Sequence, residues 1–430
     1  RERYPDVPLL IASWDFIGWK WTDEDVRRLT EEFDPQRTII HEYTADMADK
    51  VTFRDWGLSG RFPWIFGIFH GFARNSDVHE DYVILSERLR EAAADRKCLG
   101  LVLWSEISHS DTFMLEYLAE NSWSPQALEA SDSADRYCRA RYPAELSRAM
   151  RPVWADFLRL SQTQHWSIKS PERALIFREP QFRLMRSGLA TLTPQRMEAI
   201  NAAHRRVAPE LKAAPEVLER LAGLSAKWYS DELWRRDALD IARTVANRAL
   251  FVSFAQGAKR MEAWRQDQAE AASIRQTAES NLELFDALAD VLAQSDEFSI
   301  AASLRRLDRA RELGGVEPQV NPHAEQTMKA NAENSYCRSH HYELVRTVNR
   351  REAEAYWNWV LKRVESGDRG PWRQPAELTE QAKASADAFY ATPLAKMKPT
   401  AARGPVELAA ALERLADSVQ RVVDTGEGGS

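Results

Sequence analysis

Four short apolar runs stand out in the first part of the chain: PLLIASWDF (Pro8–Phe16), TIIHEY (Thr38–Tyr43), PWIFGIFH (Pro63–His70) and LGLVLW (Leu99–Trp104). Each is nearly continuous in apolar residues and does not alternate. That pattern predicts parallel strands covered on both faces. Between the first two runs lies TDEDVRRLTEEF, with Thr22 as a helix N-cap and acidic residues in the first turn. Between the last two, Tyr82, Leu85, Leu89 and Ala92 fall at helical spacing and predict a helix from about His79 to Asp95. Residues 44–62 contain Gly57 and Gly60 and read as a long loop without a helix. Strand–helix–strand units in series define an α/β fold.

The texture changes near residue 125. Beyond it, apolar positions recur with helical period, as in Ile241, Val245, Ala249 and Val252, or Leu284, Leu288, Val291 and Leu292. Breaks are expected at Gln162–Pro180, Pro209–Pro215, Gly314–Pro322 and Gly367–Pro375. The charged run Arg305–Glu312 reads as a solvated helix face. The expected organisation is an α/β unit over 1–125, an all-α helical bundle over 126–422 and a flexible tail over 423–430.

Four strands at roughly 30-residue spacing amount to half of a (β/α)8 barrel. A half barrel cannot close and leaves two bare sheet edges. A doubly wound open sheet is the structural alternative, but no glycine-rich phosphate loop follows any of the runs. The expectation is therefore the last four strands of a barrel. Its N-terminal half would precede Arg1 in the parent chain or come from another chain.

Composition narrows the function classes. The 430 residues carry a net charge of -7, which leaves no electrostatic footprint for nucleic acid or for an anionic membrane. No window approaches ~18 consecutive apolar residues, the length of a membrane span. Three cysteines, Cys98, Cys138 and Cys337, are too few and too scattered for a disulfide framework, and no Cys-x-x-Cys suggests zinc. No cofactor is implied. The 15 tryptophans are numerous enough to serve cores and also to line a sugar site, where ring faces stack on C–H faces.

Barrel enzymes place their sites at the C-terminal ends of the strands. Those ends read Trp14-Asp15, His41-Glu42, His70 and, after the fourth strand, Glu106. Two carboxylates with an aromatic plate suit glycoside cleavage, one as nucleophile and one as acid. Each residue also has a structural explanation. Glu106 would cap the following helix or pair with Arg74. Glu42 would form a salt bridge. His70 would be a core histidine, and Trp14 would pack. A metal held by His41, His70 and the acids is the weaker chemical alternative, because no compact ligand spacing demands it.

These motifs also resemble, in order and spacing, the α-N-acetylglucosaminidases, glycoside hydrolase family 89. The stretch around Trp14 is similar to the family's strand ending in Gly-Trp. PWIFGIFHGFARN resembles its apolar strand followed by His-Asn-Phe-Gly-Gly-Asn. SEISHSDTFMLEYLAENSW resembles its Pro-Glu-Gly motif with Ala-Glu-x-x-Trp at the same distance. RRDALDIARTVANRAL resembles its Tyr-Asp-Leu-x-Asp-x-x-Arg-Gln helix, and FDALADVLAQSDEFSIAASL its Leu-Asp-x-Leu-Leu-Ala segment. The resemblance covers the C-terminal part of the family's barrel and its helical domain. It implies a retaining two-carboxylate mechanism on a carbohydrate substrate, with Glu106 as nucleophile and an acid/base upstream of this chain. It places Trp14 at the sugar site and matches His70 and Asn75 to the polar ends of the third-strand motif; the strand-end Glu42 and the departing Arg74 are further substrate-binding candidates read from the residues themselves. Ser105-Glu106-Ile107 replaces Pro-Glu-Gly, and Ala73-Arg74 replaces Gly-Gly. Those departures keep a second reading open: a non-catalytic carbohydrate-binding relative with a degenerate site.

Overall fold

The structure, a computed structural model, describes residues 7–16, 21–43, 45, 51–68, 78–103, 111–122, 129–163, 192–268, 271–314, 323–334, 340–370, 373, 375–399 and 402–427. The first part is a four-stranded sheet of β1 (Leu9–Ala12), β2 (Thr38–His41), β3 (Trp64–Ile68) and β4 (Cys98–Leu103). All neighbours are parallel and the order is β1-β2-β3-β4, without reversal. A doubly wound sheet needs a point at which the strand order reverses, and this sheet has none. In register, Ala12 lies opposite His41, His41 opposite Ile65, and Ile68 opposite Leu103, so all four strands leave the sheet at the same edge.

The strands are shorter than their apolar runs. Ser13–Phe16, expected inside the first strand, instead forms a 3-10 turn. The inner strands β2 and β3 are buried except for Ile39 and Ile65, which are half-buried. The outer strands expose Leu9, Leu10 and Leu99, the last two at 59% each. They are the edges of the sheet, with a hydrogen-bonded neighbour on one side only among the described residues. The supposed helix-free loop before β3 contains one helical turn, α2 (Thr52–Asp55).

Two helices follow strands as expected. In α1 (Asp23–Glu31), Thr22 Oγ1 accepts from the Asp25 N–H at 3.1 Å while Asp25 Oδ2 accepts from the Thr22 N–H at 3.0 Å, a complete capping box. Helix α3 (Tyr82–Ala94) is capped by Asp81 and buries Leu85, Leu89 and Ala92. At the end of the sheet where β3 and β4 begin, Asp95 gathers the chain. It accepts from the Trp64 indole (2.9 Å), the Ser59 hydroxyl (2.9 Å) and the N–H groups of Gly60 (2.8 Å) and Lys97 (2.9 Å). Burial alone would raise its pKa, but these donors outweigh it and hold the carboxyl below its usual range.

Everything after β4 is helical among the described residues: α4 (Thr112–Asn121), α5 (Ala130–Arg141), α6 (Ala144–Ser161), α7 (Pro194–Leu211), α8 (Ala214–Trp228), α9 (Glu232–Arg265), α10 (Ala271–Leu292), α11 (Ile300–Gly314), α12 (Ala324–Asn334), α13 (Arg350–Glu365), α14 (Ala376–Ala391) and α15 (Pro405–Glu427). The run Arg305–Asp308 is exposed, as its charge pattern predicts. Helix α15 continues past 422, where the ordered part was expected to end. Thr425 is buried and accepts from Arg260, through its carbonyl oxygen.

Helix α9 is the axis of this part. It packs on α7, α10 and α15, and at its close approach to α13 a Cβ on Gly257 would lie 2.4 Å from the Trp357 ring. Trp357 in turn stacks on Phe254 (6.0 Å) and donates to Asn281 Oδ1 at 2.9 Å. One apolar cluster runs without a break from Val26 in α1 to Val422 in α15, so the sheet unit and the helices share a core.

Asp237 fastens α9 to the junction of α5 and α6. Its carboxylate takes a bidentate pair from Arg141 (2.6 and 2.9 Å), the Tyr137 hydroxyl at 3.0 Å and the Tyr142 hydroxyl, and Thr112 of α4 lies at 3.4 Å. Removing one partner of such a buried pair strands the other charge. Asp237→Ala is therefore expected to cost about 3–5 kcal/mol, measured as a shift of the urea unfolding midpoint.

Candidate functional site

The edge where the strands end is the expected mouth. At the end of β2 the Glu42 N–H still donates to the Ile65 carbonyl at 3.0 Å, so Glu42 is held by the sheet ladder. Its side chain is fully buried. Oε1 accepts from the Tyr43 N–H at 2.7 Å, and Oε2 accepts from the Thr52 hydroxyl of α2. The approach is close enough to demand glycine on β3: a Cβ on Gly67 would stand 1.6 Å from the Glu42 carbonyl oxygen. His41 lies beside Tyr43, ring centroids 4.3 Å apart, and burial lowers its pKa, so the imidazole is neutral at pH 7.

Further buried polar residues stand just ahead of α3 and α4. Asp111 caps α4 through Met114 (2.9 Å) and accepts from the His79 N–H at 3.2 Å. Val78 is tied to α9: its N–H donates to the Thr244 hydroxyl at 3.0 Å, and its carbonyl accepts from Arg248, which also bonds the Ser161 carbonyl at 3.1 Å. Glu80 is fully buried and accepts from the Asp81 N–H at 2.8 Å. Burial, reinforced by the Asp81 charge, pushes its carboxyl up to about 8. Behind this, α9 sends Asp240 and Arg243 inward, paired at 2.8 Å, with the Arg243 guanidinium 4.9 Å over the Phe298 ring. Burial raises Asp240 to about 6 against the opposing pull of Arg243.

The residues singled out from sequence divide accordingly. Glu42 is placed at the strand-end edge as a buried, hydrogen-bonded carboxylate. Trp14 belongs to the 3-10 turn that follows β1. Glu106, His70, Arg74 and Asn75 lie outside the described residues. His79, Glu80 and Asp111 were not singled out. Their only sequence signal is polarity just ahead of helices α3 and α4, which reads as ordinary capping. Among the described residues no group of three or more His, Cys, Asp or Glu is arranged to hold a metal ion. No described helix is long and apolar enough to cross a membrane.

No protein-family model matches the chain, and no curated protein sequence matches it. Solved structures do. A glycoside hydrolase of family 89 from Clostridium perfringens, in complex with its substrate GlcNAc-alpha-1,4-galactose, aligns with TM-score 0.64 and 15% identity. The family 89 enzyme in complex with 2-acetamido-1,2-dideoxynojirmycin gives 0.65 and 14%, and in complex with PUGNAc 0.63 and 13%. Each alignment covers 95% of this chain and 44% of the other, so the chain spans less than half of the solved chains it matches. The fold is like that of glycoside hydrolase family 89. At this identity the likeness is one of fold, and it extends from the sheet through the helices.

Glu80 supplies a test of this burial. Its folded pKa lies above the ordinary 4.5, so the folded state holds a proton that the unfolded chain has lost, and stability falls as pH rises toward 8. Histidines such as His41, lowered by burial, act in the opposite direction but only below about 6.5. Between pH 6.5 and 8 the unfolding free energy is therefore expected to decline, by at most about 1.4 kcal/mol per unit from this group. Glu80→Gln should flatten that decline. An unchanged slope in chemical denaturation would remove Glu80 as its source.

Proposed function

We propose that this chain is the C-terminal part of a glycoside hydrolase of the α-N-acetylglucosaminidase type. The observation that carries the reading is the family 89-like fold over 95% of the chain, with four strands ending at one edge in the order of a barrel wall. In this reading β1–β4 are the last four strands of a (β/α)8 barrel. Residues 1–125 form its C-terminal half, and the helices from 126 to the end of α15 at Glu427 form a domain docked on it. The open edges at β1 and β4 meet the N-terminal half, in the same parent chain or in another.

Glu106, in the chain leaving β4, is the nucleophile. It attacks the anomeric carbon and forms a glycosyl-enzyme, while an acid/base carboxyl from the missing half protonates the leaving oxygen and then activates water. A retaining pair stands ~5 Å apart, against ~6.5–9.5 Å for an inverting pair. Trp14 lines the sugar, and His70, Arg74 and Asn75 bind its polar groups from the chain leaving β3. Glu42 shapes the floor. Its buried hydrogen bonds to Tyr43 and Thr52 support a positioning role over direct proton transfer.

The test is hydrolysis of an aryl α-N-acetylglucosaminide by the full-length parent, with and without Glu106→Ala. A loss of about three or more orders of magnitude is expected. A nearly active variant would refute the assignment of Glu106. An inactive parent that still binds the sugar would favour the carbohydrate-binding reading, to which Ser105-Glu106-Ile107 already points.

A further inference from the structure

A pocket lies far along the chain from the strand ends. It has a volume of about 250 Å³ between the helical run that opens α13 and the chain that follows α14. Four cations line it, Arg346, Arg351, Lys396 and Lys398, with no acidic side chain in the lining among the described residues. Only Arg346 is matched, by Asp286 at 2.6 Å outside the pocket. Arg351, Lys396 and Lys398 enter no ion pair among the described residues, whereas Arg350 beside them pairs with both Asp286 and Glu354. The Tyr342 hydroxyl, also in the lining, makes no hydrogen bond among the described residues and is an available donor. Phe389 and Met397 form a buried apolar floor.

The backbone explains how the two arginines share one wall. Tyr342–Leu344, Val345–Asn349 and Arg350–Glu365 form one helical run, and the middle segment is a π-helix. In a straight α-helix, residues five apart diverge by about 140°. A π turn closes from i to i+5 and brings Arg346 and Arg351 onto the same face. Such turns are rare and concentrate at functional sites. Here the turn gathers like charges, an arrangement that folding alone does not favour.

We propose that this pocket binds a tetrahedral oxyanion, a sulfate or phosphate group either free or carried as a monoester on a sugar. Two planar guanidinium forks and two lysine ammonium groups around a small cavity match the several acceptor oxygens of such a group. A carboxylate offers fewer. The inference does not rest on the glycosidase reading, since none of these residues belongs to the strand-end edge.

The experiment is isothermal titration calorimetry of the chain at constant ionic strength and pH 7. The titrants are inorganic sulfate, inorganic phosphate, a monosaccharide 6-sulfate and the same monosaccharide unsulfated. Saturable binding of the anions, none of the neutral sugar, and weakening with added salt are expected. The triple variant Arg351→Ala/Lys396→Ala/Lys398→Ala should bind at least about tenfold more weakly. All three side chains are exposed, so its far-ultraviolet spectrum and unfolding midpoint should match the parent. Equal affinity for ion and ester would assign the pocket to the free anion, and a tighter ester to a sugar-borne group; both uphold it. No saturable binding of any anion, or undiminished binding by a folded triple variant, would overturn it.

Discussion

A buried carboxylate, Asp237, ties α9 to the helices that follow the strand-bearing unit. A charge taken out of water is costly, and it stays ionised in a core only when strong donors surround it. Arg141 and two tyrosine hydroxyls provide them, and all three come from the chain around the junction of α5 and α6. The arrangement fixes the rotation of α9, which then aims Asp240, Thr244 and Arg248 along the same stripe. Thr244 and Arg248 hold the backbone of Val78, at the entrance to α3. The placement of that chain thus depends on a helix more than 150 residues later, as the spacing between Val78 and Arg248 records.

The two ends of the sheet carry polar groups for different reasons. At the end where β3 and β4 begin, Asp95 collects four donors and its carboxyl is held low, an arrangement that stabilises the ionised form and the fold together. At the opposite edge and in the chain ahead of α3, burial dominates. Glu80 is pushed up and His41 pushed down, each toward its neutral form. Ionisable groups that burial perturbs gather where function is commonly built, and groups that hydrogen bonds stabilise gather where the fold is anchored. Glu42 stands between these cases, deeply buried yet hydrogen-bonded on both oxygens.

Net charge is a poor guide to the basic pocket beside α13. The chain is acidic overall, and arginines of the helical part such as Arg141, Arg220, Arg350 and Arg414 have acidic partners that cancel them. What distinguishes the pocket is four cations in one lining that has no acidic side chain among the described residues, and a π turn that aligns two arginines. Neither property is visible in composition.

The sequence by itself determined the elements. Near-continuous apolar runs mark β2 and β3, Thr22 with Asp25 marks the start of α1, and helical spacing marks the bundle, because these signals are local in the backbone and in side-chain chemistry. It also singled out the strand ends as the place to look, including Glu42. Tertiary structure decided what local pattern cannot encode. The outer strands look like the inner ones in sequence but are exposed, because cover depends on neighbours. Gly67 reads as a weak point of β3 until the Glu42 carbonyl is placed against it. His79, Glu80 and Asp111 carry no local mark of burial, and only the folded structure shows them buried. Asp237, Asp240 and Arg243 are charged residues on a helix and are nevertheless interior, since burial is a property of the whole assembly and not of the helix that carries them.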